Sequence, residues 1–195
     1  RNTDTPASGM ATFGITGGSL SSLEGSLFHV SNSSALITLN STTVDAGSGV
    51  VLTAEASSNG KEGQNGGHVT MNIRQQTLTG NIICDNASTV SLDIESNSTF
   101  TGMLNTGGAA RLMDVSIDKT SVWDLTGHSY VSAFINEEVS PLNIKENGNN
   151  IFYAANNEAN EWLEGKAFTL QHGGKVAPAV EGRNSINTLT PLPPA

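Results

Sequence analysis

The polar and apolar positions of this chain alternate with a period of two. Leu36-Ile37-Thr38-Leu39, Val69-Thr70-Met71-Asn72-Ile73, Val90-Ser91-Leu92-Asp93-Ile94 and Met113-Asp114-Val115-Ser116-Ile117 all follow the pattern, and Asn, Gly, Ser or Thr bounds each run. Such alternation predicts short strands with one buried face. Between positions 10 and 153 no apolar stripe falls at helical spacing, and Gly and β-branched residues break up every stretch long enough for a helix.

The runs also recur. Val69, Val90 and Met113 open equivalent strands 21 and 23 residues apart. Leu78-Thr79-Gly80, Phe100-Thr101-Gly102 and Leu125-Thr126-Gly127 read as a second series, 22 and then 25 residues apart. A repeat in the low twenties built of strands alone predicts a solenoid. The expected fold is all-β: a single-stranded right-handed parallel β-helix of about six to seven coils with an irregular C-terminal cap. Neighbouring coils would lie about 4.8 Å apart, with alternate side chains pointing into a narrow core. The coils are expected to occupy 1–153. The interval from Ala35 to Val69 is too long for one coil, and the polar stretch 56–67 (ASSNGKEGQNGG) supplies the excess as a protruding loop. Strands at Leu142–Ile144 and Ile151–Tyr153 would close the stack. A capping segment would follow over 154–189, with a helical turn near Glu158–Leu163 and a strand at Ala167–Leu170, and 190–195 would form a tail.

Composition narrows the partners. The 195 residues carry 9 basic and 18 acidic side chains, a net charge of −9. Scattered cations on an acidic chain argue against a nucleic acid, because no basic patch exists to neutralise phosphates. No apolar run is long enough to span a bilayer. Asn, Ser and Thr number 20, 22 and 20, together 62 residues, which suits solvent-facing strand positions and tight corners. The one cysteine, Cys84, follows two isoleucines and reads as a small buried hydrophobe.

The period, the VSLDI-type strands and the ending resemble bacterial right-handed β-helix surface proteins of the adhesin-like, pectin-lyase-like kind. The resemblance rests on Trp123-Asp124-Leu125-Thr126-Gly127-His128-Ser129-Tyr130, then on Asn160-Glu161-Trp162-Leu163-Glu164-Gly165-Lys166 and Leu170-Gln171-His172-Gly173-Gly174-Lys175. It covers roughly 10–180. It implies a secreted or cell-surface module, part of a longer surface protein, that contacts a polysaccharide or a surface glycan. It does not imply catalysis, because one solenoid hosts lyases, hydrolases, adhesins and passive stalks.

Stacking the coils defines the candidate site. Aligning Val69, Val90 and Met113 gives solvent-facing columns Thr70/Ser91/Asp114, Asn72/Asp93/Ser116 and Arg74/Glu95/Asp118. Asp93, Glu95, Asp114 and Asp118 then share one face with Arg74. Carboxylates one coil or two strand residues apart suit sugar hydroxyls, a hard cation such as Ca²⁺, or the acid and base of a glycosidase or lyase. The plainer reading is a solvated acidic face in which Arg74 pairs with Glu95. No resident cofactor is expected. Trp123 is expected in the core, and Trp162 is expected to pack over the last coil. The four histidines show no paired ligand spacing, and no nucleophile elbow, P-loop or HExxH motif occurs.

Overall fold

Each coil is written as short β-branched runs broken at residues that tolerate tight corners, and the chain winds accordingly. The computed structural model describes residues 9–138 and 142–180. The outer parts of the expected cap (181–189) and the tail (190–195) lie outside the described residues.

Coil one holds β1 (Met10–Thr16), β2 (Ser19–Ser22) and β3 (Phe28–Ser31); coil two holds β4 (Ser33–Asn40), β5 (Thr43–Ala46) and β6 (Val50–Glu55). Coil three holds β7 (Gly67–Arg74), β8 (Thr77–Thr79) and β9 (Asn81–Cys84), and coil four holds β10 (Thr89–Glu95) and β11 (Thr99–Thr101). Coil five holds β12 (Leu112–Ile117), β13 (Val122–Asp124) and β14 (Ser129–Val131); coil six holds β15 (Ala133–Asn136), β16 (Ile144–Lys145) and β17 (Ile151–Tyr153). A 3₁₀ turn (Glu158–Leu163), β18 (Phe168–Thr169) and β19 (Lys175–Pro178) end the described chain. The fold is a parallel β-solenoid of about seven turns. Its largest sheet has the strand order β1-β4-β7-β10-β12-β15. The long polar segment predicted between coils two and three is present, joining Glu55 to Gly67.

Inward positions form continuous columns. Ile37, Met71, Leu92, Val115 and Phe134 stack in register, as do Leu39, Ile73, Ile94 and Ile117. All of them are buried. A third column, on another sheet, runs Leu78, Phe100, Trp123, Ile144. Here the structure corrects the sequence reading. The residue above Phe100 is Trp123, not Leu125, and Thr101 pairs with Asp124. The repeat Leu-Thr-Gly at 125–127 is therefore two positions out of step. The cause is the indole: Trp123 is wholly buried, tilts against Phe100 at 6.3 Å, and donates from Nε1 to the Gly102 carbonyl at 3.1 Å. Gly102 itself is required by the stack, since a Cβ there would lie 2.2 Å from the Gly80 carbonyl oxygen.

The corners are held by a ladder of buried polar side chains that alternation does not reveal. The Thr42 amide donates to Gln76 Oε1, the Gln76 amide to Ser98 Oγ, and the Ser98 amide to Ser121 Oγ. Gln76 Nε2 returns bonds to the Thr42 and Thr77 carbonyls. These amides lose their ladder partners where the chain turns, and a buried amide must find another acceptor. One residue before Thr42, Gln76 and Ser98, the residues Ser41, Gln75 and Asn97 all take the left-handed conformation, so the same corner repeats in three coils.

The C-terminal end is closed. The free edge of β15 receives side chains from the 3₁₀ turn in place of another strand. Asn160 Oδ1 accepts from the Phe134 amide at 2.8 Å, Asn160 Nδ2 donates to the Ser132 and Ala154 carbonyls, and Trp162 Nε1 donates to the Phe134 carbonyl. Trp162 thus packs over the last coil as expected, with its ring 5.9 Å from that of Phe134. Beside it β19 adds in parallel to β17, and β18 folds back antiparallel on β19. The expected strand at Ala167–Leu170 shortens to β18, and β19 is an element the sequence reading did not anticipate. The expected strand at Leu142–Ile144 begins only at Ile144, because Leu142 points to solvent.

Candidate binding face

The outward side of the six-stranded sheet carries the residues singled out above. The register places Ser91 between Thr70 and Asp114, and Asp93 between Asn72 and Ser116. Glu95 lies beside Arg74, and the Asp118 amide donates to the Ile94 carbonyl, continuing the same ladder one residue past β12. The three expected columns are therefore real. They extend further down the solenoid, with Thr38 and Gly14 below Asn72, and Asn40 and Thr16 below Arg74. Above Ser116 the column ends in Ile135.

The five charged side chains do not behave alike. Arg74 Nε donates to Glu95 Oε2 at 2.9 Å, and both side chains are solvent-exposed, so the pair adds about 0–1 kcal/mol to stability. Asp118 is turned into its own corner. Its Oδ2 accepts from the Ser96 amide, and its Oδ1 accepts from the Thr120 amide and hydroxyl. Burial alone would raise its pKa, but these donors outweigh that and hold it below the usual carboxylate range. Asp93 is shifted the other way, chiefly by burial and then by the charge of Glu95, with Arg74 opposing. Asp114 is the most perturbed: burial pushes it up to about 6, against the Ala133 amide that donates to its Oδ1. Asp93 and Asp114 are thus the carboxylates of this face not committed to an ion pair or a corner. Among the described residues, no three or more Asp, Glu, His or Cys side chains gather where one metal ion would touch them all.

The raised Asp114 pKa has a definite sign in stability. A carboxyl whose folded pKa lies above its unfolded value of 3.8 stabilises most below pH ~4 and loses that contribution as pH rises through about 6. Asp114→Asn keeps the acceptor for the Ala133 amide and removes the titration. The variant is expected to match the parent near pH 4 and to exceed it by about 1–3 kcal/mol at pH 7. Urea unfolding across that interval checks this, and parallel curves for the two proteins would contradict it.

Other candidate groups serve the fold. Cys84 is buried, and burial pushes its thiol up to about 12, which suits a packed side chain and not a nucleophile. His29 pairs with Glu55, His68 with Thr89, and His128 Nδ1 accepts from the Asn150 amide. Glu146, fully buried, accepts from the His172 amide and stands 3.4 Å from the His172 ring. Alternation could not flag Glu146, since a buried acid at a corner leaves no periodic trace. No helix among the described residues is long and apolar enough to cross a membrane.

No family model, curated protein or solved structure matches this chain. The fold and the face define a parallel β-solenoid with an in-register polar surface.

Proposed function

We propose that the protein is a non-catalytic secreted or cell-surface module whose six-stranded outer face contacts an extended carbohydrate. The observation carrying this reading is the in-register array of short polar side chains, Thr38, Asn72, Asp93 and Ser116 in one column and Thr70, Ser91 and Asp114 in the next. Along each column the groups repeat at about 4.8 Å, and across columns at about 7 Å. Short Asn, Asp, Ser and Thr side chains lose little rotamer entropy when they donate to or accept from hydroxyls. The resemblance to adhesin-like β-helix proteins supports the same reading. So does the net charge of −9, which disfavours anionic polymers and leaves neutral glycans. An outer sheet face whose Asp93 and Asp114 stand outside any ion pair offers hydroxyl recognition more readily than the enclosed, water-excluding cleft that glycosidic cleavage needs.

The test is binding to immobilised neutral polysaccharides and a glycan array. Asn72→Ala combined with Asp93→Ala is expected to lower retention at least tenfold with an unchanged melting temperature. Thr79→Ala combined with Thr101→Ala, on a different sheet, is expected to leave retention intact. Equal retention of both variants would remove the face from the reading, and release of reducing or unsaturated ends would replace it with an enzymatic one.

A further inference from the structure

Asn-Gly pairs occur at 59–60, 65–66 and 147–148, and the fold holds them differently. We infer that Asn59 is a site of spontaneous covalent modification: the Gly60 backbone nitrogen closes on the Asn59 side chain and leaves an aspartyl or isoaspartyl residue, while the other pairs are locked against the same reaction. Asn59 and Gly60 lie in the exposed stretch 58–64 of the segment that joins β6 to β7. The Asn59 amide donates to Ser57 Oγ at 3.1 Å, but among the described residues no group bonds the Asn59 side chain or the Gly60 amide. Gly60 has a φ of +90°, and with no side chain it puts no bulk in the way of its nitrogen reaching Asn59 Cγ. Asn65 is the opposite case. It is buried, its Nδ2 donates to the Ser57 carbonyl, and its own carbonyl accepts from the Asn32 and Ser57 amides. Gly66 is pressed so close to the next coil that a Cβ on it would lie 2.0 Å from the Ala87 carbonyl oxygen, so its nitrogen has no room to swing. Asn147 is exposed, yet its Nδ2 donates to Asp124 Oδ1 at 2.7 Å and to the Leu125 carbonyl at 2.9 Å, which holds the side chain away from Gly148.

The step balances with water as its only co-reactant. A bond forms from the Gly60 nitrogen to Asn59 Cγ, the Cγ–Nδ2 bond breaks, and the Gly60 proton leaves with Nδ2 as ammonia. Water then opens the cyclic imide at either carbonyl. One opening gives an aspartyl residue, and the other gives an isoaspartyl residue whose backbone is longer by a methylene. Both place a new negative charge beside Lys61 and Glu62. The longer backbone has a structural consequence, because Gly60 backs onto its neighbours: a Cβ on it would lie 3.0 Å from Asn32 Oδ1 and 3.1 Å from Asn65 Cβ. Lengthening the chain there pushes the loop off the corner at which the Asn32 amide donates to the Asn65 carbonyl. That corner stands directly ahead of β4 and β7.

The test is incubation of the native chain at pH 6.0 and pH 8.5, with the urea-unfolded chain alongside, followed by peptide mapping by mass. In the native chain position 59 is expected to gain the mass of deamidation at least tenfold faster than position 65 or 147. It is expected to do so faster at the higher pH, because the Gly60 nitrogen attacks as its anion. Unfolding is expected to bring the three positions to similar rates, since it removes the contacts that hold Asn65 and Asn147. Asn59→Gln, whose longer side chain closes the ring poorly, is expected to abolish the native mass gain. Equal rates at the three positions in the native chain, or conversion led by position 65 or 147, overturns the inference. So does a position 59 that stays intact in the native chain and converts only in urea, or a native mass gain that persists in Asn59→Gln.

Discussion

Asn160→Ala is expected to cost about 2–4 kcal/mol of unfolding free energy. Asn160 is 1% exposed and makes three hydrogen bonds within its side chain's reach: it accepts from the Phe134 amide and donates to the Ser132 and Ala154 carbonyls. Alanine leaves the buried Phe134 amide without a partner, at about 1–3 kcal/mol, and takes one of two donors from the Ser132 and Ala154 carbonyls, which keep Asn157 Nδ2 and the Asn157 amide. The loss reaches past stability. β15 is the last strand of the six-stranded sheet, and Asn160 stands where a seventh strand would pair. With this edge uncovered, its unpaired backbone groups can pair with other chains, and light scattering should show association that the parent lacks. Asn157→Ala is the graded comparison, since it removes only the cap of the 3₁₀ turn and one bond to the Ser132 carbonyl. Denaturant midpoints for both variants, with scattering after a day at room temperature, check the expectation. A midpoint for Asn160→Ala within 1 kcal/mol of the parent would mean that β18 and β19 close the end without it.

Trp123→Ala is expected to be at least as damaging, at about 3–5 kcal/mol for the cavity and about 1 kcal/mol more for the orphaned Gly102 carbonyl. Trp123 is wholly buried between Phe100 below and Ile144 above, so the void opens in the middle of a column and cannot collapse sideways. Because each coil leans only on its neighbours, the damage should divide the solenoid. Hydrogen exchange is expected to accelerate in β13, β16 and the cap while β4, β7 and β10 keep most of their protection. Trp123→Phe separates the two contributions: it keeps an aromatic ring in the column, loses the Gly102 bond, and should cost about 1–2 kcal/mol. With Trp162 changed to Phe, Trp123 reports the same event by the red shift of its emission on unfolding.

The difference between the two end segments follows from how apolar and polar signals are written. At the N-terminal end the columns through Phe13 and Ile15 are as apolar as those of interior coils, so β1 looks in sequence like any other coil strand. Its exposure arises only because no coil lies beyond it among the described residues. At the C-terminal end the grammar of the sequence changes after Tyr153, and a cover was legible there. What the cover does was not, since Asn160 and Trp162 act through contacts with residues 26 and 28 positions earlier.

The sequence by itself determined the solenoid, its period, which residues of each run face inward, and the columns Thr70/Ser91/Asp114 and Asn72/Asp93/Ser116. All of these follow from two periodicities, one of two residues and one of a coil, and periodic information survives without coordinates. Only the tertiary structure decided that Trp123 replaces Leu125 above Phe100, and that Asp118 is spent on a corner while Asp114 is pushed toward neutrality. It alone revealed the Gln76–Ser98–Ser121 ladder beneath the corners. Each of these depends on how far a side chain is withdrawn from water and which backbone group it meets one coil away, and neither quantity repeats along the chain.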